Sequence, residues 1–155
     1  MLITVWRHGE AGPAPSDWDR QLTSRGRASL QIAAADFHRW LGSMALPMVS
    51  ACLHSPLVRT TQTAELLSTI LPCLPEPCSA LEPGRRREEV DRVVPEGESH
   101  LLLVSHQPLV SRLIDYWLDS NEVAPLSPGG YATLDVTIPT RGGASLVKAQ
   151  SSILQ

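Results

Sequence analysis

The stretch Val5-Trp6-Arg7-His8-Gly9-Glu10 closes a short apolar run that begins at Met1. We expect this run to form a buried strand, because it is apolar throughout and then switches abruptly to Arg-His-Gly. In an α/β fold, ligands bind in the crevice beyond the carboxyl ends of the strands. The stretch therefore predicts a fixed positive charge and a nucleophilic imidazole at that edge, with a glycine that lets the backbone pass close to a ligand.

The composition limits the classes of protein to consider. The 155 residues are 43% hydrophobic and 19% charged, which predicts one domain, residues 1–155, with its own core. A net charge of −3 gives no reason to expect binding to nucleic acid or to an anionic membrane. The amino terminus has only six apolar residues and no basic region before them, so we expect neither a signal peptide nor a membrane span. Three cysteines without a Cys-x-x-Cys pair indicate free thiols and a cytoplasmic location.

Two further strand ends resemble the first. An apolar run over residues 48–53 precedes Ser55-Pro56, which predicts a capped helix over residues 56–71 with Arg59 in its first turn. The unbroken apolar run over residues 101–104 is typical of a central strand covered on both faces, and it ends in Ser105-His106-Gln107-Pro108. A helix is expected to follow it.

The remaining segments are expected to complete an α/β fold. Thr23 is a natural N-cap for a helix that ends near Gly42. Residues 72–84 contain four prolines and predict a loop, with a short extended piece around residues 78–81. The charged run over residues 84–94 predicts a short exposed helix. Two final strands are expected over residues 131–138 and 144–149.

Four polar residues stand at these junctions: Arg7, His8, Arg59 and His106. If the strands are parallel neighbours, two guanidiniums and two imidazoles meet at one edge of the sheet, an arrangement that suits a dianion such as a phosphoryl group. An imidazole can carry a phosphoryl group covalently, while arginines stabilise charge in the transition state. We expect no metal and no cofactor, because the cations are built in and the sequence has neither a carboxylate cluster for Mg²⁺ nor a P-loop.

The other histidines and cysteines show no metal-ligand spacing. His38 and His100 are expected at the surface, and His54 is expected to be structural. We expect no bridge and no metal site between Cys73 and Cys78, which flank a Leu-Pro-Glu-Pro segment.

The junction residues lie in four motifs, which resemble those of the histidine phosphatase (phosphoglycerate mutase-like) superfamily in content and order. They are Arg7-His8-Gly9-Glu10, Leu22-Thr23-x-x-Gly26, Ser55-Pro56-x-x-Arg59-Thr60-x-Gln62-Thr63 and Val104-Ser105-His106. Together they cover the chain from residue 3 to about residue 118. The short length, Leu81-Glu82-Pro83-Gly84 and Ser105-His106-Gln107-Pro108-Leu109-Val110 are most similar to the SixA branch, the phosphohistidine phosphatases.

The resemblance implies a fold and a set of site residues. The fold is a three-layer α/β/α sandwich around a mainly parallel mixed sheet. His8 is the implied phospho-accepting nucleophile, and the phosphate pocket is formed by Arg7, Arg59 and His106. Gly9, Gln107 and Glu82 are candidate substrate-binding residues. Larger members of the superfamily carry an acidic proton donor in an extra segment, and Glu82 is the nearest candidate here, although it also fits the start of the following helix.

Three functions remain open at this point. The first is removal of phosphate from phosphohistidine in a partner protein, such as a histidine phosphotransfer domain. Whatever the substrate, the chain is expected to act as a monomer. A site without a dedicated acid suits that substrate, because imidazole (pKa about 6.5) leaves far more easily than an alkoxide, whose conjugate acid is as weak as water (pKa about 15.7). The others are a phosphatase for a small phosphate ester or sugar phosphate, and a phosphate-binding module without turnover.

Overall fold

The structure, a computed structural model, describes residues 1–151. Its six strands are β1 (Leu2–Arg7), β2 (Ala51–His54), β3 (Pro75–Pro77), β4 (His100–Ser105), β5 (Tyr131–Val136) and β6 (Ala144–Gln150). Its four helices are α1 (Ser24–Ser43), α2 (Val58–Ser68), α3 (Arg87–Asp91) and α4 (Leu109–Leu118). Single turns of 3₁₀-helix occupy Asp17–Asp19 and Ser79–Leu81.

The six strands form one mixed sheet in the order β3-β2-β4-β1-β5-β6. The pairs β3–β2, β2–β4 and β4–β1 are parallel, whereas β5 and β6 join the sheet in antiparallel pairs. Strand β4 is buried at every residue and lies between β2 and β1. The carboxyl ends of the three strands that carry the junction motifs are therefore neighbours, as the sequence predicts.

Helices cover both faces of this sheet. Because side chains alternate along a strand, β4 sends Leu101 and Leu103 to one face and Leu102 to the other. The first face packs against the apolar side of α4, and the second packs against α1 and α2. The predicted three-layer α/β/α sandwich is confirmed. None of the helices within residues 1–151 has the length and apolar character that crossing a membrane requires.

Two boundary predictions are wrong. Ser55 does not cap α2: the helix begins at Val58 behind Leu57, and its cap has no side-chain hydrogen bond. The Ser55 hydroxyl accepts only a long bond of 3.4 Å from the Leu57 N–H and is engaged elsewhere. The extended piece in the proline-rich loop is Pro75–Pro77, which pairs with β2, and Ser79–Leu81 is a helical turn instead.

His100 is not at the surface. Its ring is fully buried at the start of β4, where Nδ1 donates to the Pro47 carbonyl at 2.8 Å and Nε2 lies 2.8 Å from the Thr4 hydroxyl. Burial lowers the pKa of this histidine, so it serves as a neutral polar link between strands.

The three cysteines are free thiols, as expected. Cys52 is buried in β2, and its partner is Cys73, with which it shares a hydrogen bond. Ser68 also contacts the Cys73 sulfur, with its Oγ at 3.6 Å.

Candidate active site

The three junction motifs meet at the carboxyl edge of the parallel strands. Arg7 pairs in register with Ser105, and His54 pairs with Val104, so the residues that follow each strand emerge side by side. The rings of His8 and His106 lie with centroids 5.2 Å apart. From the first turn of α2, Arg59 brings its Nε within 3.4 Å of His8 Nε2.

The orientation of His8 is fixed by the backbone. Its Nδ1 lies 2.8 Å from the Gly9 carbonyl, which can only accept, so Nδ1 carries the proton. Nε2 is then left with a lone pair that faces the Arg59 guanidinium. A backbone carbonyl that holds the tautomer in this way prepares Nε2 to act as a nucleophile.

His8 is also held neutral. Only 7% of the residue is exposed, and this burial is the main reason that its pKa falls to about 4. The charges of Arg59, Arg7 and Arg20 lower the pKa further, against the opposing effect of the Gly9 hydrogen bond. Near neutral pH the imidazole is therefore neutral, and the lone pair on Nε2 accepts a long hydrogen bond of 3.4 Å from Arg59 Nε.

Arg7 and His106 each present a buried nitrogen without a partner in the described part of the chain: Arg7 Nε and His106 Nδ1. Arg7 is fixed by a 2.9 Å bond from Nη1 to the Leu126 carbonyl, and burial followed by the charge of Arg59 lowers its pKa. A guanidinium nevertheless stays charged in proteins. Buried polar atoms are rarely left unpaired, so two of them in one site are what a ligand with several acceptor oxygens would satisfy.

The tautomer of His106 follows from its neighbour Ser55. Its Nε2 lies 2.8 Å from Ser55 Oγ, and that oxygen already accepts from the Leu57 N–H. When the Ser55 hydroxyl donates to Nε2, the proton of the neutral ring is on Nδ1, the nitrogen without a protein partner. Burial, then the charges of His8 and Arg59, lower the pKa of His106 to about 3, so this ring is a neutral donor.

The candidate substrate-binding residues Gly9 and Gln107 stand beside the site and contact the protein. The Gly9 N–H donates to Thr63 Oγ1 at 3.1 Å, and a Cβ at this position would lie 2.6 Å from a methyl carbon of Leu30. A side chain at Gly9 would therefore press on the flexible Leu30 side chain of α1. The Gly9 carbonyl orients His8. Gln107 donates to the same Leu126 carbonyl that holds Arg7, at 3.4 Å. Substrate contact by either residue stays a prediction.

Glu82 is directed toward Arg85. Its Oε2 forms an ion pair with Arg85 Nη2 at 3.2 Å, and the Ser105 hydroxyl holds the preceding carbonyl, that of Leu81, at 2.7 Å. No hydrogen bond or ion pair found within residues 1–151 joins Glu82 to the four pocket residues. Glu82 does not lie at the start of the next helix, because the first turn of α3 carries Glu88 and Glu89. Its roles as proton donor and as substrate-binding residue stay predictions.

The other motif residues hold the loop after His8 in place. Thr23 caps α1 through the Gly26 N–H at 2.9 Å, and its own N–H donates to the Glu10 carbonyl at 3.0 Å. From α2, Gln62 accepts from the Leu22 N–H at 2.9 Å. These bonds explain why the second and third motifs occur together with the first: both dock helices onto the loop that carries the nucleophile candidate.

Two site residues were missed in the sequence. Ser55 was assigned as a helix cap, whereas it fixes His106. Asp17, in the loop after His8, binds Arg59 through both its carbonyl and its carboxylate, 42 positions away along the chain. No sequence periodicity links residues so far apart. The local sequence Ser16-Asp17-Trp18-Asp19 does indicate a turn capped by the serine.

No group of three His, Cys, Asp or Glu side chains within residues 1–151 is arranged to hold a metal ion. Asp17 forms an ion pair with the pocket residue Arg59, and its carboxylate is also engaged by Arg20.

Comparison with known proteins places this geometry in a family. No protein-family model matches the chain. The phosphohistidine phosphatase SixA of Escherichia coli (strain K12) is 30% identical to it over 121 residues, which span 74% of this chain and 72% of that protein. The chain belongs to the SixA-like branch of the histidine phosphatases.

Solved structures of this superfamily share the fold. A SixA protein histidine phosphatase in complex with tungstate superposes with a TM-score of 0.78 at 23% identity, over 97% of both chains. A mycobacterial glucosyl-3-phosphoglycerate phosphatase superposes with a TM-score of 0.69 at 15% identity, over 97% of this chain and 99% of its own. The SixA-like chain is thus a phosphatase with the phosphoglycerate mutase-like fold.

Proposed function

We propose that this phosphatase removes the phosphoryl group from a phosphohistidine in a partner protein, that the group is carried in between on His8, and that no metal ion takes part. Membership of the SixA-like branch supports the substrate class. The observation that carries the mechanism is the neutral His8, whose unprotonated Nε2 lies 3.4 Å from Arg59 Nε beside the unpartnered nitrogens of Arg7 and His106.

In the first step, His8 Nε2 attacks the phosphorus atom. A bond forms between Nε2 and phosphorus while the bond from phosphorus to the leaving imidazole breaks, and its electron pair returns to that nitrogen. The proton stays on His8 Nδ1 and is donated to the Gly9 carbonyl oxygen, which stabilises the positive charge that develops on the ring. Covalent transfer of this kind divides one displacement into two easier ones.

The phosphoryl oxygens are assigned to three donors. Arg59 and Arg7 supply fixed positive charge, and His106 supplies a neutral N–H from Nδ1. Preorganised donors in a buried site stabilise the transition state strongly, since they need no reorganisation as charge develops. Two guanidiniums perform the charge neutralisation for which other phosphoryl-transfer enzymes use metal ions.

In the second step, water attacks the phosphorus of the phosphorylated His8. The P–N bond breaks, and its electron pair returns to His8 Nε2. The proton on Nδ1 remains hydrogen-bonded to the Gly9 carbonyl, and inorganic phosphate is released. The leaving group is again an imidazole, so neither step requires a strong acid. This matches a pocket in which Glu82 is paired with Arg85.

The substrate is proposed to be a histidine phosphotransfer domain rather than a small ester. Asp17 and Trp18 lie on the 3₁₀ turn that touches Arg59, and both are exposed: 64% of the Asp17 side chain and 46% of Trp18. An exposed tryptophan beside a phosphate pocket suits contact with a protein surface. The predicted cytoplasmic location and monomeric state stay predictions.

A rate comparison tests the proposal. A phosphotransfer domain carrying phosphohistidine and a panel of phosphate monoesters are given to the wild type and to His8→Ala. We expect the highest kcat/KM on phosphohistidine and no turnover above background in the variant, with an unchanged circular dichroism spectrum. A sugar phosphate cleaved faster than phosphohistidine contradicts the substrate assignment, and full activity of His8→Ala contradicts the mechanism.

A further inference from the structure

Asp17 brings a carboxylate to the mouth of the pocket. Its Oδ2 lies 3.3 Å from Arg59 Nη2, while the Nε of the same guanidinium is 3.4 Å from His8 Nε2. One arginine therefore holds the nucleophile candidate on one nitrogen and a negative charge on another. A carboxylate so close to a site for a dianion is costly for binding phosphate, which calls for a compensating use.

The backbone of Asp17 is held independently of its carboxylate. The Asp17 carbonyl accepts from Arg59 Nη1 at 2.7 Å, and Ser16 caps the turn through the Trp18 N–H at 3.2 Å. The carboxylate itself is 64% exposed. The residue can thus stay anchored at the mouth while its carboxylate turns from Arg59 toward a substrate.

The carboxylate is an acceptor and not an acid. Slight desolvation raises the pKa of Asp17, but the charges and hydrogen bonds of Arg59 and Arg20 outweigh it and hold the pKa below its usual value. At neutral pH the group is ionised and cannot protonate an alkoxide leaving group. It can accept a hydrogen bond from an N–H, and it favours a cation next to it.

We propose that Asp17 is the residue that selects phosphohistidine, by accepting a hydrogen bond from the ring N–H of the protonated leaving imidazole. The inference rests on the function proposed above and adds the group that reads the leaving side. A phosphohistidine ring carries phosphorus on one nitrogen and a proton on the other, whereas the alkoxide oxygen of a phosphate ester has no proton to donate. The same carboxylate repels the dianion of an ester without compensation.

The step balances without further reactants. His8 Nε2 forms its bond to phosphorus as the P–N bond of the substrate breaks, and the released electron pair neutralises the imidazolium. The ring proton stays on the other nitrogen, hydrogen-bonded to Asp17, so a neutral imidazole departs. By stabilising the imidazolium, the carboxylate raises the fraction of bound substrate that is ready to react.

The two side chains that form ion pairs with the Asp17 carboxylate are cationic, and the exposed Asp19 lies on the same turn. Arg20 lies on the same loop as Asp17, with Nη1 3.4 Å from Oδ1, and Arg59 faces it from α2. The negative charge of Asp17 also acts on His106, which follows β4, and partly offsets the lowering of the His106 pKa. These neighbours are shared by any substrate, so a difference between phosphohistidine and phosphoserine reports on the leaving group.

The test uses one peptide sequence carrying either phosphohistidine or phosphoserine, with the wild type, Asp17→Asn and Asp19→Asn. Asp19 is exposed, lies on the same turn and is the matched charge control. We expect Asp17→Asn to lose about tenfold to a hundredfold in kcat/KM on phosphohistidine, the size of a hydrogen bond to a charged group. Its kcat/KM on phosphoserine is expected to stay level or rise, and Asp19→Asn is expected to match the wild type.

A pH profile separates leaving-group recognition from a structural role. In Asp17→Asn the alkaline limb of kcat on phosphohistidine is expected at lower pH than in the wild type, because the imidazolium loses its partner. Equal losses on both peptides, or an unmoved limb, overturn the inference and leave Asp17 as a support for Arg59. A wild type that does not cleave the phosphohistidine peptide, while it cleaves the phosphoserine peptide, instead overturns the proposed function itself.

Discussion

His8 is prepared for its role by burial and by a single carbonyl. Burial lowers its pKa to about 4, so the ring is neutral at physiological pH, and the Gly9 carbonyl places the proton on Nδ1. The low pKa makes the protein less stable in acid, because His8 binds a proton more readily in the unfolded chain than in the folded protein. His106, with a pKa of about 3, adds to the same effect.

This predicts the pH dependence of unfolding. Between about pH 6.5 and pH 4 the unfolded state binds more protons at His8 than the native state, so the free energy of unfolding falls as the pH is lowered, by up to about 1.4 kcal/mol per pH unit. His8→Asn removes this contribution. Urea unfolding measured at several pH values in this window is expected to show that the free energy of unfolding depends less steeply on pH in the variant than in the wild type. An equal slope would contradict a depressed His8 pKa.

Arg59 is expected to contribute mainly to the transition state. Arg59→Ala removes a buried cation that faces His8, and a loss of about 10²–10³ in kcat is expected, as for other preorganised donors. Inhibition by orthophosphate should weaken in parallel. The exposed Arg39 on α1, paired with Asp36, provides a control, and Arg39→Ala is expected to retain activity and inhibition. If orthophosphate inhibits Arg59→Ala as strongly as the wild type, Arg59 does not bind the phosphate.

At the scale of elements, the site depends on how α1 and α2 dock on the loop after His8. The Leu22-Thr23-x-x-Gly26 motif is explained by contacts alone: Thr23 caps the helix, and a Cβ on Gly26 would lie 2.4 Å from the Glu10 carbonyl oxygen. The backbone there cannot yield as a flexible side chain does. The motif is structural, yet its position next to the site is what makes it part of the family pattern.

Gly26→Ala is therefore expected to destabilise the protein by about 1–3 kcal/mol, the usual cost of overpacking. Gly12→Ala, in the loop before α1, is the control, because the nearest atom to its Cβ, a methyl carbon of Thr23, is 3.8 Å away. The free energy of unfolding from urea titrations measures both. Similar stabilities for the two variants would show that the close approach at Gly26 is relieved cheaply.

Local patterns predicted the elements well and their partners poorly. Apolar runs and caps gave β1, β4, α1 and the exit residues, because those signals lie within a few positions of one another. Ser55 was misread as a cap because the same hydroxyl can cap a helix or hold a histidine from another strand. His100 was misread as exposed because a polar residue can be satisfied by Thr4 and Pro47, 96 and 53 positions away.

At the scale of the whole molecule, the order of the strands in the sheet brings the site residues together. Strand β4 lies between β1 and β2, so three motifs that are spread along the chain from Arg7 to His106 emerge at one edge. The resemblance to a known superfamily implied that His8, Arg7, Arg59 and His106 form one pocket. The strand order and the contact between Asp17 and Arg59 required coordinates. The organisation of residues 1–155 as a single domain stays a prediction.

The pocket as a unit is proposed to work without a metal ion, since Arg7 and Arg59 provide its positive charge. Exhaustive treatment with a chelator is therefore expected to leave kcat and KM on phosphohistidine unchanged. Added Mg²⁺ should have no effect on the treated enzyme. Loss of activity that Mg²⁺ or Zn²⁺ restores would contradict the proposal.

The most direct measurement of phosphoryl transfer to His8 is a rapid-quench experiment with a phosphotransfer domain that carries radiolabelled phosphohistidine. We predict a transient label on the wild type, lost in acid but stable in alkali, that maps to the peptide containing His8 and is absent from His8→Asn. Release of phosphate at the full rate with no labelled enzyme at any time, or a label that persists in His8→Asn, would contradict His8 as the carrier.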